Sequence, residues 1–136
     1  MSARTKARKR AIDILFEADL RGADPVSTAA DRLTDAERPV QPYALTLIEG
    51  VASRASRIDE LVTTYADGWT LHRMPGVDRA IIRTAVYELL WVDDVPDAVV
   101  IDEAVELAKT LSTDDSPKFI NGLLGRLVKV KPDLYL

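Results

Sequence analysis

Cysteine is absent from the 136-residue sequence, and histidine occurs once, as His72. Without cysteine the chain has no disulfide, thiolate zinc site, iron–sulfur cluster or thiol nucleophile. The single histidine has no second imidazole with which to complete a metal site, and none of the six glycines belongs to a dinucleotide- or nucleotide-binding loop. We therefore expect no catalytic residue, no metal and no cofactor, and we predict that the protein is not an enzyme.

Long hydrophobic runs are also missing. The longest are Leu89–Val92 and Ala98–Ile101, far below the roughly 18 residues that a membrane-spanning helix requires. Asp13 and Glu17 interrupt the apolar residues that follow the basic N-terminus, which argues against a signal peptide. Together with a hydrophobic content of 47%, this favours a cytoplasmic globular protein with no membrane association.

Alternation of polar and apolar residues with a period of two is absent too, so we expect no β-sheet. Apolar residues instead recur with the i, i+3, i+4, i+7 spacing of amphipathic helices. In the first helix this repeat consists of Ala11, Ile14, Leu15 and Ala18. Proline, glycine and capping residues divide the chain into about seven helices. We predict one all-α domain over residues 1–136, with two packed helical halves at about 1–67 and 78–131.

Three residues have a predicted structural role within these helices and their connections. Gly122 and Gly125, in the last helix, are expected to allow close helix packing. Trp69, in the connection between the halves, is expected in the core or at the boundary between them.

Charge is distributed unevenly along the chain. The whole chain has 18 Lys and Arg against 22 Asp and Glu, a formal net charge of −4. Five of the cations lie within seven residues near the N-terminus, at Arg4, Lys6, Arg8, Lys9 and Arg10. Cations at the start of a helix oppose its dipole, whereas a bound phosphate would make the same arrangement favourable. The cluster therefore indicates either an anion-binding element or a solubilising terminus on an otherwise acidic protein.

Four motifs in the second half carry a resemblance to a known family. They are Asp78–Leu89, Val95-Pro96, Val100–Lys109 and Ser116–Leu124, and Trp69 precedes them. With the arginine-rich start and the segment Ala11–Leu15, they resemble the NusB family of bacterial transcription antitermination factors over nearly the whole chain. The fold implied by this resemblance has two halves of three to four helices each, in agreement with the helix count.

The resemblance implies a factor that pairs with the ribosomal protein acting as NusE and binds the boxA element of nascent ribosomal RNA leaders as a single strand. Other Nus factors and RNA polymerase are then indirect partners. The implied RNA-binding residues are Arg4, Lys6, Arg8, Lys9, Arg10, Tyr65, Lys118 and Phe119, with Asp115 beside them as an acid that moderates affinity. The implied NusE-facing residues are Phe16, where relatives often have tyrosine, and Asp78, where relatives can have glutamate.

Two alternative functions remain at this point. A protein-only adaptor of the same fold would use the basic helix to meet an acidic partner. A stand-alone relative of the RNA-binding domain of RNA cytosine methyltransferases would require a catalytic domain on another polypeptide. The family includes both monomers and dimers, so a homodimer is a further candidate state that no single residue decides.

Overall fold

The computed structural model describes residues 1–136 and contains seven α-helices and no strand, which confirms the predicted all-α class. The helices are α1 Ala3–Arg21, α2 Pro25–Arg32, α3 Pro42–Ser53, α4 Ala55–Tyr65, α5 Gly76–Trp91, α6 Asp97–Leu111 and α7 Ser116–Val130. Two short 3-10 turns, Leu71–Arg73 and Lys131–Asp133, precede α5 and follow α7. None of the helices combines the length and the apolar character needed to cross a bilayer.

Local signals in the sequence set the ends of the first two helices. The side chains of Ser2 and Asp24 accept hydrogen bonds from the backbone N–H groups of Thr5 and Ser27, and thereby cap α1 and α2. α1 ends at Arg21, and Gly22 follows it with a φ of 62°, a left-handed conformation that glycine adopts at little cost. The Ser2 cap thus sets where α1 and its basic residues begin, and Gly22 and Asp24 set where the chain turns from α1 into α2.

α1 and α5 form the centre of the fold and run antiparallel. Arg8 of α1 meets Glu88 near the end of α5, whereas Asp19 near the end of α1 meets Arg79 near the start of α5. α1 also packs against α2 and α3, and α5 packs against α3, α4, α6 and α7. A single cluster of buried side chains draws on all seven helices. The N-terminal cations therefore lie at one end of this central pair, and the start of α5 lies at the other.

Glycine permits two close helix contacts, at Gly50 and at Gly76, but not at the positions that the sequence suggested. A Cβ atom at Gly76 in α5 would lie 2.9 Å from Phe16 Cε1 in α1. A Cβ atom at Gly50 in α3 would overlap the ring of Tyr87 in α5. A Cβ atom at Gly122 would have Arg126 Nη1 as its nearest neighbour, at 3.5 Å, and one at Gly125 would have nothing within 4 Å. The prediction of close packing at Gly122 and Gly125 is wrong, because a Cβ atom would make an ordinary van der Waals contact at Gly122 and would meet open space at Gly125.

Candidate nucleic-acid interface

Arg8 is buried in the helix packing, although it was expected to contact RNA. Its side chain is only 5% exposed, and its Nε donates to both carboxylate oxygens of Glu88 at 2.9 and 3.0 Å. Its Nη1 also lies 3.2 Å from Glu103 of α6. In this position Arg8 fastens α1 to α5 and α6, and two carboxylates already occupy the guanidinium. The geometry gives Arg8 a structural role and removes it from the exposed cationic surface.

Tyr43 completes this buried ionic cluster. Its hydroxyl group donates to the Glu88 carboxylate from α3, so Glu88 receives hydrogen bonds from two other helices. Burial, and then the hydrogen bond to Glu88, raise the pKa of Tyr43 above its ordinary value. The phenol thus stays protonated and continues to donate, which holds the start of α3 against the basic end of α1.

Arg4 and Arg10 differ in how accessible their side chains are to a ligand. Arg4 donates two hydrogen bonds to Asp94, at 3.3 and 3.0 Å, and its guanidinium lies 4.2 Å from the centre of the Tyr43 ring. This hydrogen-bonded pair raises the pKa of Arg4 and lowers that of Asp94. The Arg4 side chain nevertheless remains 43% exposed. Arg10 is 9% exposed, and its Nη2 donates to the backbone oxygen of Arg38 at 3.0 Å.

The two lysines of the cluster face a cleft of about 280 Å³ between α1 and the α2–α3 loop, residues 33–41. This basic cleft is lined by Lys6, Lys9, Arg10, Asp13, Arg38 and Gln41, among others. Lys6 is exposed and Lys9 is half-buried, and the ion pairs of this helix start involve its arginines instead of its lysines. Four cations against one carboxylate give the cleft a positive potential that attracts anions.

A larger depression of about 540 Å³ lies at the opposite end of the fold, beside α7. This aromatic pocket is lined by Trp69, Asp78, Asp115, Lys118, Phe119 and Arg126, among others. The rings of Trp69 and Phe119 pack with their centroids 5.2 Å apart at an angle of 38°. Asp115 and Lys118 are exposed beside them, and Phe119 is half-buried against the core.

Trp69 lines the aromatic pocket, whereas Tyr65 is joined to the pocket only through its backbone. The backbone oxygen of Tyr65, the last residue of α4, accepts a hydrogen bond from Arg126 Nε at 2.9 Å. Trp69 lies in the α4–α5 connection and is 46% exposed, so it is less enclosed than a core residue. Its partnership with Phe119 places it among the candidate site residues, where sequence reasoning had assigned it to packing. Its position after the Asp67-Gly68 turn was the signal that it could be exposed.

The two expected NusE-facing residues have different environments. Asp78 is buried, and its carboxylate accepts hydrogen bonds from Ser112 and, at 2.7 Å, from Ser116 Oγ. Asp78 therefore joins the start of α5 to the α6–α7 turn and does not present its carboxylate at the surface. Phe16 is half-buried and lines an apolar groove of about 460 Å³. The apolar groove also includes Ile12, Asp13, Pro75, Val77 and Leu111.

These three depressions are contiguous on the surface. The basic cleft and the apolar groove share Asp13, and the apolar groove and the aromatic pocket share Pro75. No group of three or more histidine, aspartate or glutamate side chains is placed to hold a metal ion. The surface therefore offers cations at one end, apolar side chains in the middle, and exposed aromatic and charged side chains at the other end.

Neighbouring depressions with exposed cations, apolar side chains and aromatic rings on a small all-helical fold are typical of a domain that binds other macromolecules. Residues 5–129 match the model of the NusB family, and the chain belongs to this family. It is 58% identical to a protein named "Transcription antitermination protein NusB" from Streptomyces avermitilis, over 98% of this chain and 96% of the relative. A protein of the same name from Salinispora tropica is 60% identical over 95% of this chain and 97% of its own length.

Solved structures agree with this family membership. NusB from T. maritima superposes with a TM-score of 0.84 at 34% identity, covering 98% of this chain and 99% of that one. A NusB chain in a crystal structure of antitermination factors NusB and NusE in complex with dsRNA superposes with a TM-score of 0.82 at 25% identity. That match covers 93% of this chain and 96% of the other.

Proposed function

We propose that this protein is a transcription antitermination factor that binds boxA RNA together with the NusE ribosomal protein. In this role it helps to assemble an antitermination complex on RNA polymerase in the cytoplasm. The name of its full-length relatives and the solved complex of a NusB with NusE and dsRNA support this function. The observation that carries it is the basic cleft, where Lys6 and Lys9 lie without carboxylate partners on an otherwise acidic protein.

The proposed RNA surface has two parts. Arg4, Lys6, Lys9 and Arg10 form the part at the start of α1, and Tyr65, Asp115, Lys118 and Phe119 form the part around the aromatic pocket. Cations that hold phosphates and aromatics that stack on unpaired bases are the usual means of binding single-stranded RNA. Along α5, ten residues separate Glu88 at the first part from Asp78 at the second, or roughly 15 Å. A short single strand can span this distance.

The apolar groove that contains Phe16 is the proposed seat of NusE. It lies between the two parts of the RNA surface, so a protein bound there would also touch the RNA. This arrangement gives a physical reason for joint binding, since each ligand would add contacts for the other. Asp78 would act on both indirectly, because it holds the α6–α7 turn that precedes Lys118. A homodimer that covered the basic cleft would compete with RNA.

The charge of the basic cleft provides the test. Fluorescence anisotropy would compare boxA single-stranded RNA with a scrambled sequence across a salt series, using the native chain and Lys6→Ala/Lys9→Ala. Log affinity falls with log salt, and each lost phosphate contact on a single strand makes this slope shallower by about 0.7. The double variant should therefore show a slope shallower by about 1.4. Lys109→Ala/Lys129→Ala, which removes equal charge from α6 and α7, should leave the slope unchanged.

The protein-only adaptor makes the opposite prediction. If NusE binds while boxA RNA does not, or if RNA binding is indifferent to Lys6 and Lys9, the basic cleft has no role in RNA recognition. The chain would then retain the fold as an adaptor alone.

A further inference from the structure

The second wall of the basic cleft comes from the α2–α3 loop, which no family motif singled out. Arg38 in this loop lies opposite Lys6 and Lys9 and brings a fourth cation to the cleft. Its side chain is 62% exposed, and its one carboxylate partner is Asp13, at 3.4 Å from Nη2. By contrast, Arg8 at the same end of the fold is 5% exposed and is held by two carboxylates. A phosphate could therefore replace Asp13 as the partner of Arg38 more readily than it could displace the two carboxylates that hold Arg8.

The backbone of Arg38 is fixed although its side chain is exposed. Asp35 Oδ1 accepts hydrogen bonds from the backbone N–H groups of Glu37 and Arg38, both at 3.1 Å. Arg10 Nη2 donates to the backbone oxygen of Arg38 at 3.0 Å. Since the loop is held on both sides of this residue, the guanidinium has a defined base from which to reach into the cleft. Such pre-organisation reduces the entropy lost when a ligand binds.

The walls of the cleft also contain polar atoms without partners. Arg10 Nε and Gln41 Oε1 are both buried and both lack a hydrogen-bond partner within the protein. Buried polar groups in folded proteins are nearly always hydrogen-bonded, so two exceptions at one cleft are unusual. Both atoms are inaccessible from the surface, so a ligand in the cleft would reach Arg38 and the two lysines instead of them.

We propose that Arg38 is an RNA-phosphate contact and that the basic cleft holds the RNA backbone between α1 and the α2–α3 loop. Arg10, besides its place in the proposed RNA surface, anchors the loop through the backbone oxygen of Arg38, and Asp13 is the partner that the phosphate displaces. This inference rests on the proposed function, because it assumes that RNA is the ligand of the basic cleft. It extends the interface beyond the arginine-rich helix to a second element of the fold.

The test is a salt series of RNA-binding affinity with Arg38→Ala and a matched control. Arg21→Ala is that control, because Arg21 is 64% exposed and lies 3.2 Å from Glu17, but at the far end of α1. We expect Arg38→Ala to weaken RNA binding several-fold at low salt and to flatten the salt slope by about 0.7, as for one lost phosphate contact. We expect the affinity and slope of Arg21→Ala to equal those of the native chain. Arg38→Lys, which keeps the charge, should restore most of the slope.

Failure of this inference can be told apart from failure of the proposed function. If Lys6→Ala flattens the salt slope while Arg38→Ala leaves slope and affinity unchanged, RNA binds to α1 alone and the inference is overturned. If the native chain binds no RNA, either alone or together with NusE, the proposed function itself fails. Circular dichroism melting of Arg38→Ala should match the native chain, since the anchoring bonds involve the backbone of this residue.

Discussion

Arg8→Met is the substitution that best separates a structural arginine from an RNA-binding one. Methionine keeps much of the side-chain volume but removes the charge, and thereby leaves Glu88 buried with the hydroxyl of Tyr43 as its remaining side-chain donor. The Glu88 side chain is 2% exposed, so water cannot replace the lost guanidinium without local opening. Glu103 is 21% exposed and can rehydrate more easily.

The expected magnitude follows from this burial. Removing one partner of a buried ion pair commonly costs about 3 to 5 kcal/mol, because the other charge is left uncompensated. A domain of this kind has a total unfolding free energy of about 5 to 15 kcal/mol, so the loss is a large fraction of its stability. With a urea dependence of about 1 to 3 kcal/mol per molar, the unfolding midpoint should fall by about 2 M.

Urea unfolding followed by circular dichroism is the assay, and Lys6→Met is the control on the same helix. Lys6 is exposed, so its substitution should change the unfolding free energy by no more than about 0.5 kcal/mol. Arg8→Met/Glu88→Gln should recover part of the loss, because the unpaired buried charge is then gone. The structural role of Arg8 is refuted if Arg8→Met is within about 1 kcal/mol of the native chain and instead flattens the salt slope of RNA binding.

Three further predictions concern packing, pH and affinity. Gly50→Ala should lower the unfolding free energy by about 1 to 3 kcal/mol, because the added methyl group would overlap Tyr87. Gly125→Ala is the control and should not destabilise the chain, because position 125 has open space. Equal effects of the two substitutions in urea unfolding would contradict this. The pKa of Tyr43 is raised in the folded protein, so its protonated hydroxyl group adds stability below about pH 10, and this stability is lost as the pH rises further. Tyr43→Phe should therefore show a shallower alkaline loss of the urea midpoint than the native chain. A parallel loss would refute the assignment. Asp115→Asn should tighten RNA binding about 2- to 5-fold in anisotropy by removing one like charge, and unchanged or weaker binding would count against its placement beside RNA.

The helices were predictable from the sequence because their signals are local. Apolar spacing placed α1, and the caps at Ser2, Asp24 and Gly22 are set by residues within one helical turn. Arg4 and Arg8 precede Ala11 by seven and three residues, so the same helical spacing places both on the core-facing side of α1. It could not tell where the neighbouring helices end. The packing leaves Arg4 at the rim and covers Arg8.

The pairings that decide the roles of individual residues were not predictable, because they join distant parts of the chain. Arg8 meets Glu88 across 80 residues, and Asp78 meets Ser116 across 38. No local pattern reports such contacts, so the resemblance marked Arg8 and Asp78 as surface ligands while the fold buries both side chains. Arg38 was missed for the same reason, since only the fold brings its loop to the start of α1.

Joint recognition of boxA RNA and NusE by one continuous surface is the central claim. Its most direct test is anisotropy of labelled boxA RNA titrated with this protein alone, with NusE alone, and with an equimolar mixture, each repeated with scrambled RNA. We predict that the mixture binds boxA more tightly than either protein does, and that it prefers boxA to the scrambled sequence. If NusE forms a complex with this protein and the complex binds both RNAs equally, or no better than the separate proteins, the claim is contradicted.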